Sequence, residues 1–174
     1  MVFLVPVVAL IGALAVFNLF LTMAVIRRLK QNAPDLAEPD LPELPPGSRL
    51  PDFHGESISG TPVTAHTVAG TDSIFAFYDT GCSACKTTIP QLIGYAQGKG
   101  LKPDQVIAVV GGDRAAADVY AAELDGVATV IVEDTLGPVA SAFSISGIPA
   151  FVQVDSGGTV VRSGTARGVL TSGI

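Results

Sequence analysis

Tryptophan is absent from this 174-residue chain, cysteine and histidine occur twice each, and only 15% of the residues are charged. Each shortage excludes something. Two cysteines cannot build a disulfide-stapled scaffold, so their chemistry is local. Ten basic residues against sixteen acidic ones leave a net charge of −6. That excludes the basic face with which an electrostatic nucleic-acid binder displaces counterions, and no nucleic-acid partner is expected. A disordered chain is excluded too, since it would be rich in charge and poor in apolar residues. What stands in place of charge is apolar: 48% of the residues are hydrophobic and the mean hydropathy is +0.50. A soluble domain usually carries about 25% charged residues, so the apolar surplus must have a location. The length allows one domain plus an appendage.

The surplus sits at the start. Residues Val2 to Ile26 contain no charged side chain, and the run stops at Arg27, Arg28 and Lys30. At about 1.5 Å per residue such a helix would span roughly 37 Å, enough for a hydrocarbon core of ~30 Å. A cleaved signal peptide would open on basic residues and have a shorter apolar stretch, about 7–15 residues. This chain opens Met-Val-Phe, so a permanent single-pass anchor over residues 1–26 is expected. Residues 27–51 then read as a spacer. Within 31–51, six of 21 residues are Pro and four are Asp or Glu, a composition that favours stiff, extended chain.

From residue 52 to 174 the pattern becomes that of one α/β domain. Short apolar runs at Ser73–Tyr78, Gln105–Val110 and Thr129–Val132 read as strands. Ser83–Gln97, broken or kinked at Pro90, Arg114–Leu124 and Leu136–Phe143 read as helices. Ala150–Val154 and Thr159–Arg162 flank Asp155-Ser-Gly-Gly158 and read as a hairpin. Strands alternating with helices, followed by two strands paired directly, predict a central mixed sheet flanked by helices. Upstream, Phe53–Ala69 reads as a β-hairpin.

The chemistry is carried by Asp79-Thr-Gly-Cys82-Ser-Ala-Cys85-Lys86. A strand runs in and a helix runs out. Cys82 falls at the helix start, where free N–H groups and the positive dipole end favour a thiolate. Cys85 lies one turn on, so the two sulfurs can close a small ring. Attack of Cys82 on a foreign disulfide would give a mixed disulfide that Cys85 resolves. The same spacing also suits half of a zinc site. Such a site needs four ligands, and the other candidates are His54 and His66. Further on, Ser146-Gly-Ile-Pro149 precedes a strand, which suits a cis peptide bond between Ile148 and Pro149. A proline there leaves the Ile148 backbone free to pair with a bound peptide.

GCSACK after IFAFYDT, GIP before AFVQVDSGGTVV, and the segment GSRLPDF resemble the thioredoxin superfamily. The resemblance covers about residues 47–165. It is nearest to bacterial membrane-anchored thiol–disulfide oxidoreductases, such as those of cytochrome c maturation and the accessory protein of methylamine dehydrogenase assembly. It implies a thioredoxin-like fold, Cys82 as nucleophile, Cys85 as resolving thiol, Pro149 as the cis-proline, and substrate contacts at Gly81 and Ile148. The chain departs from that pattern. Gly81 stands where the family has Trp, which removes a flat apolar contact. Ala76 stands where thioredoxin has a buried Asp, so the proton of Cys85 needs another route, with Asp113 a candidate. Only Ala166–Ile174 remains for the closing helix, so that helix is short or missing and one sheet face partly uncovered.

Two other readings stay open. A thioredoxin-like copper chaperone spaces its cysteines by three residues and uses a late His, and no His follows His66. A peroxiredoxin-type peroxidase needs Thr three residues before the nucleophile, where this chain has Asp79. No metal and no cofactor are expected, since Gly111-Gly112 carries no phosphate-loop or dinucleotide pattern. The partners implied are a protein thiol or disulfide substrate and a redox donor or acceptor, for which an integral membrane protein is a candidate given the tether. The basic cluster after the anchor argues for a cytoplasmic domain. The resemblance argues for the outer side of the cell membrane, and that placement is the expectation adopted.

Overall fold

The computed structural model describes residues 44–171, together with Pro6, Gly12, Leu14 and residues 18–23. The chain enters its domain earlier than the composition suggests. Gly47 N–H donates to the Val160 carbonyl at 2.8 Å, Leu50 N–H to Gly158 at 2.8 Å, and Val160 N–H to Ser48 at 2.8 Å. The last residues of the expected spacer are thus stitched to the domain.

Next comes the expected hairpin, His54–Glu56 (β1) antiparallel to Pro62–Thr64 (β2). It is shorter than Phe53–Ala69, because Ala65–Val68 (α1) turns into a helix, with Thr67 Oγ1 accepting the Thr64 N–H at 2.9 Å. The strand Ser73–Asp79 (β3) is buried along its first six residues. Such a run is what a strand covered on both faces requires. Ser83–Lys99 (α2) follows, unbroken at Pro90, and ends at Gly100 in the left-handed region with φ 64°. The Gly100 N–H donates to the Ala96 and Gln97 carbonyls, a terminus that a residue without Cβ adopts at little cost.

Val106–Gly111 (β4), Arg114–Glu123 (α3), Thr129–Glu133 (β5), Pro138–Ala142 (α4), Ala150–Val154 (β6), Val160–Gly164 (β7) and Ala166–Leu170 (α5) complete the order. α4 starts two residues later than expected, because Leu136 has φ 52° and cannot be helical. The sheet order is β5-β4-β3-β6-β7. β3, β4 and β5 are parallel, joined by helical crossovers as parallel pairs must be, while β6 and β7 run antiparallel.

Period-two alternation divides the core. On one face Ile74, Ala76 and Tyr78 meet α2, α3 and α5. On the other, Phe75 and Phe77 meet β1, β2, α1 and α4. There Phe143 lies 4.6 Å from Phe75, 5.2 Å from Phe77 and 5.5 Å from Phe53 by ring centroid. The closing helix is present as the single short α5, which buries Ala166, Val169 and Leu170. The expected anchor falls largely outside the described residues. Those described there, including 18–23, are helical. Among the described residues no helix is long and apolar enough to cross a membrane.

Candidate active site

β3 delivers Asp79 to the C-terminal edge of the sheet, and α2 begins four residues later. Between them the chain is fixed by its own backbone. Cys82 N–H donates to the Asp79 carbonyl at 3.1 Å, and Thr80 N–H to the Gly111 carbonyl at 2.9 Å. Cys82 is the N-cap of α2, with φ −93° and ψ 108°. Its Sγ accepts the Cys85 N–H at 3.2 Å. A sulfur in the capping position thus satisfies one of the donors that a helix start leaves open, a role usually filled by oxygen. That N–H also stabilises negative charge as it forms on sulfur.

The two cysteines are unequal. Both are free thiols; Cys82 is half-buried, whereas Cys85 has no exposed surface. Burial pushes the Cys85 thiol up from 9.0 to about 12, with its hydrogen bond to Cys82 and the charges of Cys82 and Asp79 adding to the effect, while a backbone contact at Asp79 opposes it. Cys85 is thereby held as the proton-bearing member of the pair.

Across the site, the Ile148–Pro149 peptide bond is cis. The Cys82 thiol points at the Ile148 carbonyl, 3.9 Å away. Cys82, Cys85, Ile148 and Pro149 are therefore brought together, and Gly81 lies exposed at the rim. Pro149 carries no backbone N–H, and β6 starts directly after it.

Contacts invisible in the motif tie this loop to its neighbours. Asp79 Oδ1 accepts the Gly81 N–H at 2.8 Å, and Oδ2 accepts the Thr135 hydroxyl at 2.7 Å. The Tyr120 hydroxyl donates to the Asp79 carbonyl at 3.1 Å. Thr80 Oγ1 accepts the Asp113 N–H at 3.3 Å. A Cβ on Gly112, whose φ is 110°, would sit 2.2 Å from that same Thr80 oxygen, so only glycine lets β4 and the active-site loop approach this closely. Of these residues only Asp79 has a local signal that could have marked it, the D-x-G spacing of a turn. Thr135 has none, because it is 56 residues away and arrives through sheet register.

Asp113 caps α3, its Oδ1 accepting the Ala116 N–H at 2.9 Å, and it is exposed. No carboxylate is buried among the described residues; the buried polar side chains there are Ser57, Ser73 and Thr88. Ala76 lies in the same apolar cluster as Cys85, with Tyr78, Tyr120 and Phe151. The Thr88 hydroxyl donates to the Cys85 carbonyl at 2.8 Å. Tyr78, raised chiefly by burial, has a hydroxyl without a well-formed hydrogen bond among the described residues, Thr88 lying beside it. Tyr120 is raised by burial and then by the charges of Cys85, Cys82 and Asp79.

The zinc candidates His54 and His66 stand on β1 and α1. Among the described residues no group of three or more His, Cys, Asp or Glu is placed to hold a metal ion.

The sequence matches no protein-family model and no curated protein. Solved structures are similar in fold. The thioredoxin domain of a thiol-disulfide oxidoreductase from Bacteroides vulgatus aligns with TM-score 0.59 and 21% identity, over 70% of this chain and 89% of that one. A thiol:disulfide interchange protein DsbE from Chlorobium tepidum aligns with TM-score 0.57 and 22% identity, over 69% and 84%. A secreted disulfide oxidoreductase from Mycobacterium tuberculosis aligns with TM-score 0.53 and 20% identity, over 62% and 79%. The mixed five-stranded sheet, the helix capped by the first cysteine and the cis-proline beside it are, together with these likenesses, those of the thioredoxin fold.

Proposed function

We propose that the chain is a thiol–disulfide oxidoreductase that exchanges disulfides with a protein substrate through Cys82 and Cys85, held at a membrane by its N-terminal segment. The observation that carries this reading is the asymmetric pair: an accessible sulfur at a helix N-cap, a fully buried one a turn behind it, and the carbonyl of the cis Ile148–Pro149 bond alongside. The similar solved structures support it by what they are named: thiol-disulfide oxidoreductase and thiol:disulfide interchange protein.

The Cys82 thiolate attacks one sulfur of a substrate disulfide. A bond forms between Cys82 Sγ and that sulfur, and the other substrate sulfur leaves as a thiolate and takes up a proton. Cys85 then loses its proton and attacks Cys82 Sγ. The Cys82–Cys85 disulfide forms, and the second substrate sulfur departs and is protonated. The substrate gains two electrons and two protons, and the dithiol loses both. Ile148, next to the reacting sulfur, offers backbone to an extended substrate segment, and Gly81 leaves room for its approach.

The tether rests on the charge-free run of residues 2–26 and on Leu19, Phe20 and Met23, which are helical and exposed. The domain is placed on the outer side of the cell membrane, where protein disulfides persist. The secreted Mycobacterium tuberculosis protein is consistent with that side.

The test is reduction of a disulfide-bonded protein by the full chain and by its Cys82→Ser and Cys85→Ser variants. Wild type should turn over with a dithiol regenerant. Cys82→Ser should be inactive, and Cys85→Ser should stall as a mixed disulfide. Equal rates for wild type and Cys82→Ser would refute the reading. Labelling of intact cells with a membrane-impermeant thiol reagent after mild reduction tests the side: labelling only after lysis would refute the outward placement.

A further inference from the structure

Asp79 carries more contacts than a turn residue needs. One carboxylate oxygen takes the N–H of Gly81, next to the nucleophile, and the other takes the hydroxyl of Thr135 from the loop after β5. Its main-chain carbonyl receives both the Cys82 N–H and the Tyr120 hydroxyl. The carboxylate is therefore fixed in place at the edge of the active-site loop, on a residue that is half-buried as a whole. Each oxygen accepts one hydrogen bond, and the two together hold the carboxylate in one orientation. It is arranged as a standing charge, and no buried carboxylate among the described residues competes with it.

We propose that Asp79 sets the redox poise of the Cys82–Cys85 pair: its anchored carboxylate opposes negative charge on the two sulfurs, disfavours the thiolate forms of the dithiol, and so biases the couple toward the disulfide, which makes the chain a reductant. This rests on the dithiol exchange proposed above and adds its direction. A couple becomes more oxidising when its reduced form is stabilised, so a fixed negative charge beside the sulfurs acts in the opposite sense. The charge of Asp79 already bears on Cys85 and Tyr120, raising both. The other ionisable groups around the pair are Tyr78 from β3, Tyr120 from α3, Lys86 on the first turn of α2 and Asp113 at the start of α3. Lys86 and Asp113 are exposed, where solvent weakens their influence.

Two substitutions separate charge from position. Asp79→Asn removes the charge and keeps an oxygen for the Gly81 N–H, while its amide can donate to Thr135. Thr135→Val breaks the anchoring bond and keeps the charge. The full chain is equilibrated with reduced and oxidised glutathione from about pH 5.5 to about pH 8.5, and dithiol and disulfide fractions are read by thiol alkylation and mass. Asp79→Asn should shift the equilibrium toward the dithiol at the alkaline end, by way of Cys82, since Cys85 keeps its proton over this range; the shift should be about threefold, which is about 14 mV for this two-electron couple. The shift should vanish at the acid end, where the sulfurs carry protons and the charge has nothing to oppose. Thr135→Val should stay within about twofold throughout.

Curves for Asp79→Asn that coincide with wild type at every pH overturn the proposal. So does a shift toward the disulfide, which would mean that Asp79 stabilises the dithiol. An equal shift in Thr135→Val overturns it as well, by showing that position and not charge matters. A wild-type chain that never forms the disulfide overturns both this inference and the dithiol exchange beneath it, whereas wild-type cycling with any of the preceding results overturns this inference alone.

Discussion

The burial of Cys85 fixes the pace of the second half of the exchange. Its thiol is raised from 9.0 to about 12, first by burial. Three pKa units lower the thiolate fraction at neutral pH about 1,000-fold. The more basic thiolate is the better nucleophile, and a Brønsted coefficient of about 0.45 returns a factor of about 20. In the mixed disulfide the part of the rise due to Cys82 is lost and the part due to burial remains, so resolution at neutral pH should run up to about 50-fold slower than by an ordinary thiol at the same distance. Reaction with an aromatic disulfide such as Ellman's reagent separates the steps. The first release of coloured thiolate reports attack by Cys82, and the second reports attack by Cys85 on the mixed disulfide. The rate of the second release should rise about tenfold per pH unit from about pH 6 to beyond about pH 9. A plateau below about pH 8 would refute the reasoning, because it would mean that an unseen base or a rearrangement frees the buried thiol.

Other outcomes follow from the same geometry. The folded dithiol keeps a proton on Cys85 that the unfolded chain releases near pH 9, so stability is full below about pH 9 and falls as pH rises toward about 12. Urea midpoints of the reduced chain at pH 7.5 and 10.5 should show the loss, and Cys85→Ala should reduce it, leaving the part due to Tyr78, Tyr95 and Tyr120, which burial also raises. Gly112→Ala places a Cβ 2.2 Å from Thr80 Oγ1 at φ 110°, and should cost about 2–4 kcal/mol by chemical denaturation while slowing the first thiolate release. Phe143→Ala removes a fully buried ring shared by three other aromatics and should cost about 3–5 kcal/mol. Its dithiol chemistry should survive at low temperature, because Phe143 lies on the sheet face opposite Cys85.

What could be read from the sequence was what local pattern encodes. The five-residue apolar run Ile74–Tyr78 of β3, the cysteine at a strand-to-helix junction, the Ile-Pro before β6 and the Asp155–Gly158 turn each state their geometry within a few residues. The α1 turn was hidden because Ala65–Val68 is too short to show a helical period. The extension of β7 to Gly164 was hidden because its end residues are polar and glycine-rich. The tie from Gly47–Leu50 to β7 was masked by proline, which argues for a spacer but does not prevent edge pairing at the residues between. Most of what was missed at the site is long-range. Thr135 meets Asp79, and Tyr120 meets the same residue, only because β3, β4 and β5 are parallel and in register. A sequence shows the acid but not the partners that aim it. Asp113, plausible as a base from its place after β4, proved to be the cap that starts α3.

The central claim is that Cys82 and Cys85 form one reversible couple in which Cys82 reacts first. The direct measurement is the intact mass of the reduced full chain after exposure to oxidised glutathione, followed by mapping of the peptide that holds residues 82–85. The account predicts a loss of two hydrogens through an internal Cys82–Cys85 disulfide, reversed by dithiol, with glutathione trapped on Cys82 in the Cys85→Ser variant. Glutathione retained on the wild-type chain with no internal bond, or trapped on Cys85 in the Cys82→Ser variant as quickly as on Cys82, would contradict it.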